Sequence, residues 1–155
     1  MTLAVVVGDC GEHVRRTLGA SAVPQAHVAL LGVRSLSPAA EAQRLSASHL
    51  NIVGWRDGQP VRSVAEALDR LAEHVDHVYV HLDLGALDPS IGRGVVDPPV
   101  PGRLTGGQLT ELLLQVRERF DIAATTVATY VPANDDGSTL PIVIAAAGIL
   151  LGEDR

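Results

Sequence analysis

Segments of strand length alternate with capped helical segments along almost the whole chain. No other feature limits its fold so strongly. His27–Val33 is a short apolar run that reads as a buried strand. Ser37 and Pro38 then open a helix, with Ser at the N-cap, Pro at the first position and Glu41 in the first turn. Asn51–Trp55 is the next strand, closed by the Asp57-Gly58 turn. Ser63 and Glu66 form a capping box, and Ala67, Leu68, Leu71 and Val75 follow at helical spacing. Val78–Leu84 is a third strand, and a Pro- and Gly-rich loop runs from Gly85 to Pro101. Thr105 caps a helix carrying Leu109, Leu112, Leu113, Val116 and Phe120, before a β-branched strand from Ile122 to Val131 and a final apolar helix. Strand–helix alternation implies parallel crossovers, so the expected fold is three-layer α/β/α with a mainly parallel four- or five-stranded sheet. No shift in composition marks a boundary, and residues 1–155 read as a single domain.

Composition removes several function classes. Hydrophobic residues make up 46% and charged residues 19%, a globular balance, while aromatics at 3% leave the core to aliphatic side chains. The formal net charge of −6, with no basic block, excludes a nucleic-acid or anionic-membrane surface. All 12 basic residues are arginine, so neither a Schiff-base lysine nor a P-loop lysine exists. Cys10 is the one cysteine, which rules out an internal disulfide and a cysteine-based zinc site. Met1–Val7 lacks the basic region of a signal peptide, and the apolar run Ile142–Leu151 is far short of the ~20 residues of a membrane span. The expectation is a soluble, cytoplasmic protein.

In open parallel sheets, ligands collect at the carboxyl ends of strands. That rule selects Arg34, Arg56, Asp83 to Asp88 and Tyr130 to Asp136. The most informative stretch is His81-Leu82-Asp83-Leu84-Gly85-Ala86-Leu87-Asp88-Pro89, a strand that ends in an acidic turn. Carboxylates so placed either hold a cation and move protons, or simply cap the backbone N–H groups of a turn.

Val78–Pro89 resembles the D-x-D-x-x-D-P signature strand of the arginase/agmatinase (ureohydrolase) family. Pro99-Val100-Pro101-Gly102-Arg103-Leu104-Thr105 resembles its P-x-P-G-G-L-T loop, and Val127–Ala133 its T-E-Y-V-P strand end. Val28–Ser35 is similar to its G-x-R strand, and Met1–Gly8 to the segment after its D-A-H-x-D motif. The resemblance spans nearly the whole chain but only the second half of a ureohydrolase. It implies an α/β/α fold, a two-manganese site that hydrolyses guanidinium or amidine groups, and trimers or hexamers.

The chain departs from that pattern at the chemistry. The G-G-D-H and D-A-H-x-D motifs are absent. Asp83 matches the first acid of the D-x-D pair, the second is Gly85, and the acid of the T-E-Y-V-P strand is Thr129. One ligand of six survives, so no metal site and no cofactor is expected. Packed carboxylates repel without cations, so Gly and Thr in their place suit a metal-free pocket. In the family, the D-A-H-x-D strand lies between the signature strand and the G-x-R strand, so its absence leaves a slot in the sheet. Thr2–Val7 either fills the slot as a strand or stays helical; a strand from another chain is the third option. An unpaired edge favours association, as a homo-oligomer or with a partner chain.

Further candidates are weaker. Asp9 and Cys10, with His13, group acid, thiol and imidazole in one turn; this turn faces the pocket if Thr2–Val7 is a strand, and otherwise is an incidental polar turn. His74 and His77 fall at a helix end, where imidazoles meet terminal carbonyls. His81 and Asp83 share one face of their strand by period two, and Arg93 is placed to meet an anion. The first functional expectation is a truncated, metal-free ureohydrolase homologue without amidinohydrolase activity that acts as a binding or assembly protein. The alternative is a metal-independent enzyme for another small-molecule ligand. Its pocket holds His81 and Asp83 as acid or base, with Arg93, Thr129 and Tyr130 as binding residues. A third reading is half of a split ureohydrolase.

Overall fold

Two of the parallel crossovers expected from the sequence form. The computed structural model describes residues 2–33, 39–91 and 102–153. Strand β1 (Ala29–Val33) leads through helix α3 (Ala39–Ser46) to β2 (Asn51–Arg56), and the two strands pair in parallel. β2 turns back through Asp57 and Gly58, both at positive φ, into the short antiparallel β3 (Gln59–Pro60). Helix α4 (Val64–Ala72) then leads to β4 (His77–Asp83), and α5 (Gly106–Arg119) to β5 (Asp121–Ala128), parallel to β4. Helix α6 (Thr139–Leu151) ends the fold. The fold is α/β with mainly parallel strands.

Two of the caps read from the sequence are present, whereas Ser37 and Pro38 lie outside the described residues. Ser63 accepts a hydrogen bond from the Glu66 amide at 3.2 Å and so starts α4. Thr105 and Gln108 form a reciprocal capping box at the start of α5. Arg117 of α5 donates to the carbonyls of Ile149 and Leu150 at 3.1 and 3.2 Å and so caps the carboxyl end of α6. A Cβ at Gly152 would lie 2.8 Å from that guanidinium, so this cap needs glycine.

The chain's N-terminal segment is helical. Thr2–Val6 forms a short helix, α1, followed by α2 (Glu12–Leu18), which the sequence reading did not anticipate. β-branched Val5 to Val7 favour a strand, but local hydrogen bonds prevail. Arg15 donates to the carbonyls of Val5 and Cys10 at 2.9 and 2.6 Å, and the Asp9 and Cys10 amides turn back onto Ala4. Of the three readings of Thr2–Val7, the helical one holds.

As a result the five strands do not form one continuous sheet. They divide into a three-stranded sheet, β1-β2-β3, and a two-stranded sheet, β4-β5. Helix α4 joins the two. Its Leu68 and Leu71 are buried in one apolar cluster with Ala29 and Leu31 of β1, and with Val78 and Val80 of β4. The ends of β1 and β4 are also held together. The rings of His27 and His74, just before each strand, stack at 5.5 Å. At the other end, Gly32 of β1 lies so close to Leu104 and Ala86 that an added Cβ would be 2.9 Å from the Leu104 methyl. β1 and β4 therefore run side by side in the same direction. Among the described residues they share no strand hydrogen bonds.

Helices α4, α5 and α6 cover one face of β4 and β5. Leu109 and Leu113 of α5 and Ala146, Ile149 and Leu150 of α6 are buried around Leu82. The opposite face, with Tyr79, His81, Asp83, Ala124 and Thr126, is exposed. Leu68 carries the contact between the two sheets, so Leu68→Ala should cost about 3 kcal/mol. Urea unfolding checks this, with a lower midpoint of one cooperative transition expected.

Candidate functional site

The carboxyl ends of β4 and β5 bring Asp83, Gly85 and Thr129 together. Parallel pairing sets Asp83 opposite Ala128, so the next residue of each chain segment meets at the strand ends. Asp83 Oδ1 accepts from the Gly85 amide at 2.8 Å and from the Thr129 hydroxyl at 2.7 Å. The Gly85 amide also lies 3.2 Å from Thr129 Oγ1. The single Thr129 hydroxyl proton has a second acceptor in reach, the Ala128 carbonyl at 2.6 Å. Thr129 makes this bond at a φ of 67°, a left-handed conformation unfavourable for a β-branched residue.

The position that matches a second acid thus carries only a backbone N–H, and that N–H caps the remaining acid. Buried Arg103, which interrupts the Gly-Gly of the family's loop pattern, donates from its guanidinium to the Gly85 carbonyl. Sequence reasoning passed over Arg103; its signal was a long cation where the pattern has glycine.

His81 lies on the same strand face as Asp83 and is exposed. Its Nδ1 is 3.5 Å from the Tyr79 hydroxyl. Among the described residues, no group of three or more His, Cys, Asp or Glu is arranged to hold a metal ion. The donor set around Asp83, one capped carboxylate with a neutral hydroxyl and a glycine, does not fit a binuclear manganese centre, which needs several oxygen and nitrogen ligands.

Tyr130 lines a cleft that does not include Asp83. Its hydroxyl donates to Asp135 Oδ2 at 2.8 Å, in an open cleft of about 510 Å³ lined also by Pro132, Leu140 and Ile144. Asp135 accepts from the amides of Gly137 and Thr139 on Oδ1, at 3.1 and 3.0 Å, and from Leu140 on Oδ2 at 3.0 Å. The Thr139 amide above all, aided by Tyr130 and Leu140, pulls the Asp135 carboxyl down to about 2. The same carboxylate pushes the Tyr130 hydroxyl up from its ordinary value. Asp135 is therefore an anchor for the start of α6.

Asp88 is also a structural acid. It accepts from Ser90 Oγ at 2.7 Å and from the Ser90, Gly102 and Arg103 amides, and the Ser90 hydroxyl leads in holding its carboxyl below the usual range. It ties together the two ends of the loop that the sequence reading began at Gly85.

Asp9 and Cys10 lie elsewhere. Their turn faces the pocket only if Thr2–Val7 is a strand, and that segment is helix α1. Asp9 instead accepts from Gln25 at 3.1 Å, and Gln25 accepts from the His49 amide at 3.0 Å, so the turn sits at the amino ends of β1 and β2. Cys10 is exposed and makes no hydrogen bond with His13. His77 is paired with Asp121 at 3.7 Å at the start of β4 and β5. Arg34 and Arg93 lie outside the described residues. The sequence-derived candidates thus separate into Asp83 with Thr129, Tyr130 in its own cleft, and Asp9 with Cys10 at the far end of the sheet.

Comparison with known proteins agrees with this architecture. The arginase family model matches residues 8–151. The chain belongs to the arginase family. It is similar to the arginase of Bacillus caldovelox, with 29% identity and a TM-score of 0.82 over 98% of this chain and 52% of that one. The arginase of Bacillus subtilis gives 25% identity and a TM-score of 0.83 over 98% and 55%. Formimidoylglutamase from Bacillus subtilis, at 19% identity and a TM-score of 0.67 over 90% and 45%, shares the fold. The chain spans about half the length of the arginase structures it matches. No curated protein matches it. No helix among the described residues is long and apolar enough to cross a membrane.

Two outcomes follow from this geometry. Thr129→Gly should be more stable than Thr129→Ala by about 1 kcal/mol, because both lose the hydroxyl and only glycine tolerates the positive φ. Paired urea titrations measure the difference. Asp135 has a depressed folded pKa, so its stabilising contribution is present above the ordinary carboxylate range and is lost as pH falls toward about 2. The stability gap between wild type and Asp135→Asn should therefore narrow on acidification from about pH 5, as followed by circular dichroism melts.

Proposed function

We propose that this arginase-family chain is a metal-independent binding or assembly protein, without amidinohydrolase activity. The observation that carries this reading is the closed hydrogen-bond set at Asp83. Its Oδ1 is occupied by the Gly85 amide and the Thr129 hydroxyl, and the positions of two further acids hold no carboxylate. Activating a water at neutral pH by metal needs a cation held by several ligands. Asp83 alone does not supply that set.

The reading of a repurposed enzyme finds less support. The cleft beside Tyr130 does not include His81 or Asp83. Its own two titratable groups are driven apart, Tyr130 upward and Asp135 down to about 2, so neither is poised for proton transfer near neutrality. The split-enzyme reading meets a different obstacle. Gly85 and Thr129 belong to this chain, so a partner carrying the other ligands would leave these two positions without acids.

An assembly role draws on the exposed surfaces of the sheet. Tyr79, at 59% exposure, sits at the centre of a bare strand face, and β4 and β5 each present an open edge among the described residues. Cytoplasmic placement belongs to the same proposal. Dialysis against manganese followed by elemental analysis tests it. Below about 0.1 manganese per chain, with no urea released from arginine or agmatine, is the expected result. One or two bound ions per chain would overturn it and restore amidine hydrolysis as the leading activity.

A further inference from the structure

We infer that the outer face of helix α6 is an interface for a second copy of this chain, which packs the same face against it with the two helices antiparallel. This rests on the proposed assembly role and names a surface through which it acts. Every residue from Leu140 to Leu151 is apolar. A helix that is apolar on all sides is ordinarily covered on all sides. Here one side is covered, by Ala146, Ile149 and Leu150 packing into the core with Leu109 and Leu113 of α5 and Leu82 of β4. On the other side Leu140, Ile144 and Leu151 are 45%, 62% and 63% exposed. With half-buried Ala147 they follow one another at steps of four, three and four residues, the spacing of a seam between two helices. Helices that lie on lipid pair such a stripe with a face rich in Lys or Arg, and α6 carries neither residue.

The stripe is complementary to itself. In an antiparallel pair centred between Ala145 and Ala146, Leu140 of one copy meets Leu151 of the other, and Ile144 meets Ala147. The bulky Ile144 thus has a small partner, and Gly148 beside Ala147 lets the two backbones approach. Hollows lie where side chains of a second copy would enter. The cleft of about 510 Å³ beside Tyr130 and Pro132 opens against Leu140 and Ile144, and a second of about 230 Å³ opens between α5 and α6 at Leu109, Thr110 and Leu113. Pro141 and Ala145 line both. Charge at the helix ends sets the direction. Asp135 and Asp136 precede the amino end of α6, and Arg117 caps its carboxyl end. Antiparallel packing brings unlike ends and opposed helix dipoles together, whereas parallel packing brings like ends together. The outer face of this 13-residue helix is about 20 Å long and about 10 Å wide. With the walls of both hollows it stays below the ~800 Å² per partner of a standard interface, which fits a reversible dimer with a Kd of about 1–100 µM.

Sedimentation equilibrium of the whole chain at about 1–500 µM tests the interface. The weight-average mass should rise with concentration from 16.2 kDa toward twice that value. Ile144 is exposed in the single chain, so Ile144→Glu should leave the thermal melt of dilute protein unchanged while weakening association by at least about tenfold. A wild-type chain that stays at 16.2 kDa would overturn the inference, as would an Ile144→Glu chain that associates like wild type. Association lost in Tyr79→Ser but kept in Ile144→Glu would assign the interface to the open sheet face instead. Flotation of monomeric protein with phosphatidylcholine vesicles would give the α6 face to lipid and overturn the second copy. Cross-linking reads the direction. In a Cys10→Ser background, a Leu140→Cys chain mixed with a Leu151→Cys chain should form a disulfide at least about tenfold faster than either chain alone. Faster cross-linking of each chain with itself would mean parallel packing and overturn the antiparallel pair. Manganese content of the same samples reports on the proposed function independently. Bound metal would defeat that reading whatever the mass, and metal-free monomer would defeat only the α6 interface.

Discussion

The packing of α4 against two strands that do not pair with each other is the constraint on which the rest of the structure depends. Parallel sheets normally gain their cohesion from an unbroken hydrogen-bond ladder between helical layers. Here the ladder is interrupted, and a nine-residue helix carries the load. Its Leu68 and Leu71 hold β1 and β4 in register with one floor, and the Arg119–Asp69 pair at 2.7 Å ties α5 to the same helix. The pair is solvent-facing and adds little energy, so apolar burial supplies most of this cohesion. The positions of Asp83 and Thr129 then follow, because each sits where a strand anchored on this layer ends.

At those strand ends, electrostatics explains why Asp83 is tolerated as a lone acid. A group of carboxylates needs cations to offset its mutual repulsion. One carboxylate needs only donors, and the Gly85 amide and Thr129 hydroxyl provide them. A positive φ at Thr129 costs of order 1 kcal/mol or more, and the geometry persists because the hydroxyl is thereby aimed at Asp83. The local arrangement is that of a turn cap. Asp88 and Asp135 show the same use of an acid, each collecting backbone N–H groups at a loop or helix start.

Much of this was legible in the sequence. The two parallel crossovers, the Ser63 and Thr105 caps and the Asp57-Gly58 turn follow from local periodicity and turn chemistry, which act over a few residues. The loss of acids at Gly85 and Thr129 was visible against the family's pattern. What was not legible depended on distant contacts. Valine-rich Thr2–Val7 left strand and helix open, and the choice came from Arg15, whose guanidinium satisfies the Val5 carbonyl of α1 and the Cys10 carbonyl of the turn that follows. Placing Asp9 and Cys10 depended on that choice, so they moved with it to the amino ends of β1 and β2. Tyr130 follows Thr129 directly but bonds to Asp135 in a separate cleft, a contact set by the loop that leads into α6.

The gap in the sheet and the missing acids are separate properties of the chain, although both are departures from an arginase. The first concerns backbone pairing, since among the described residues β1 bonds only with β2 and β4 only with β5, while buried Leu68 and Leu71 of α4 hold the two strands on one apolar cluster. The second concerns side chains within this chain, at the end of β4 and just past β5, where Gly85 and Thr129 stand. The hydrogen bonds around Asp83 are made by the ends of β4 and β5 and do not involve β1, so the interruption of the sheet leaves them intact. That separation is the physical basis for reading the protein by its surfaces.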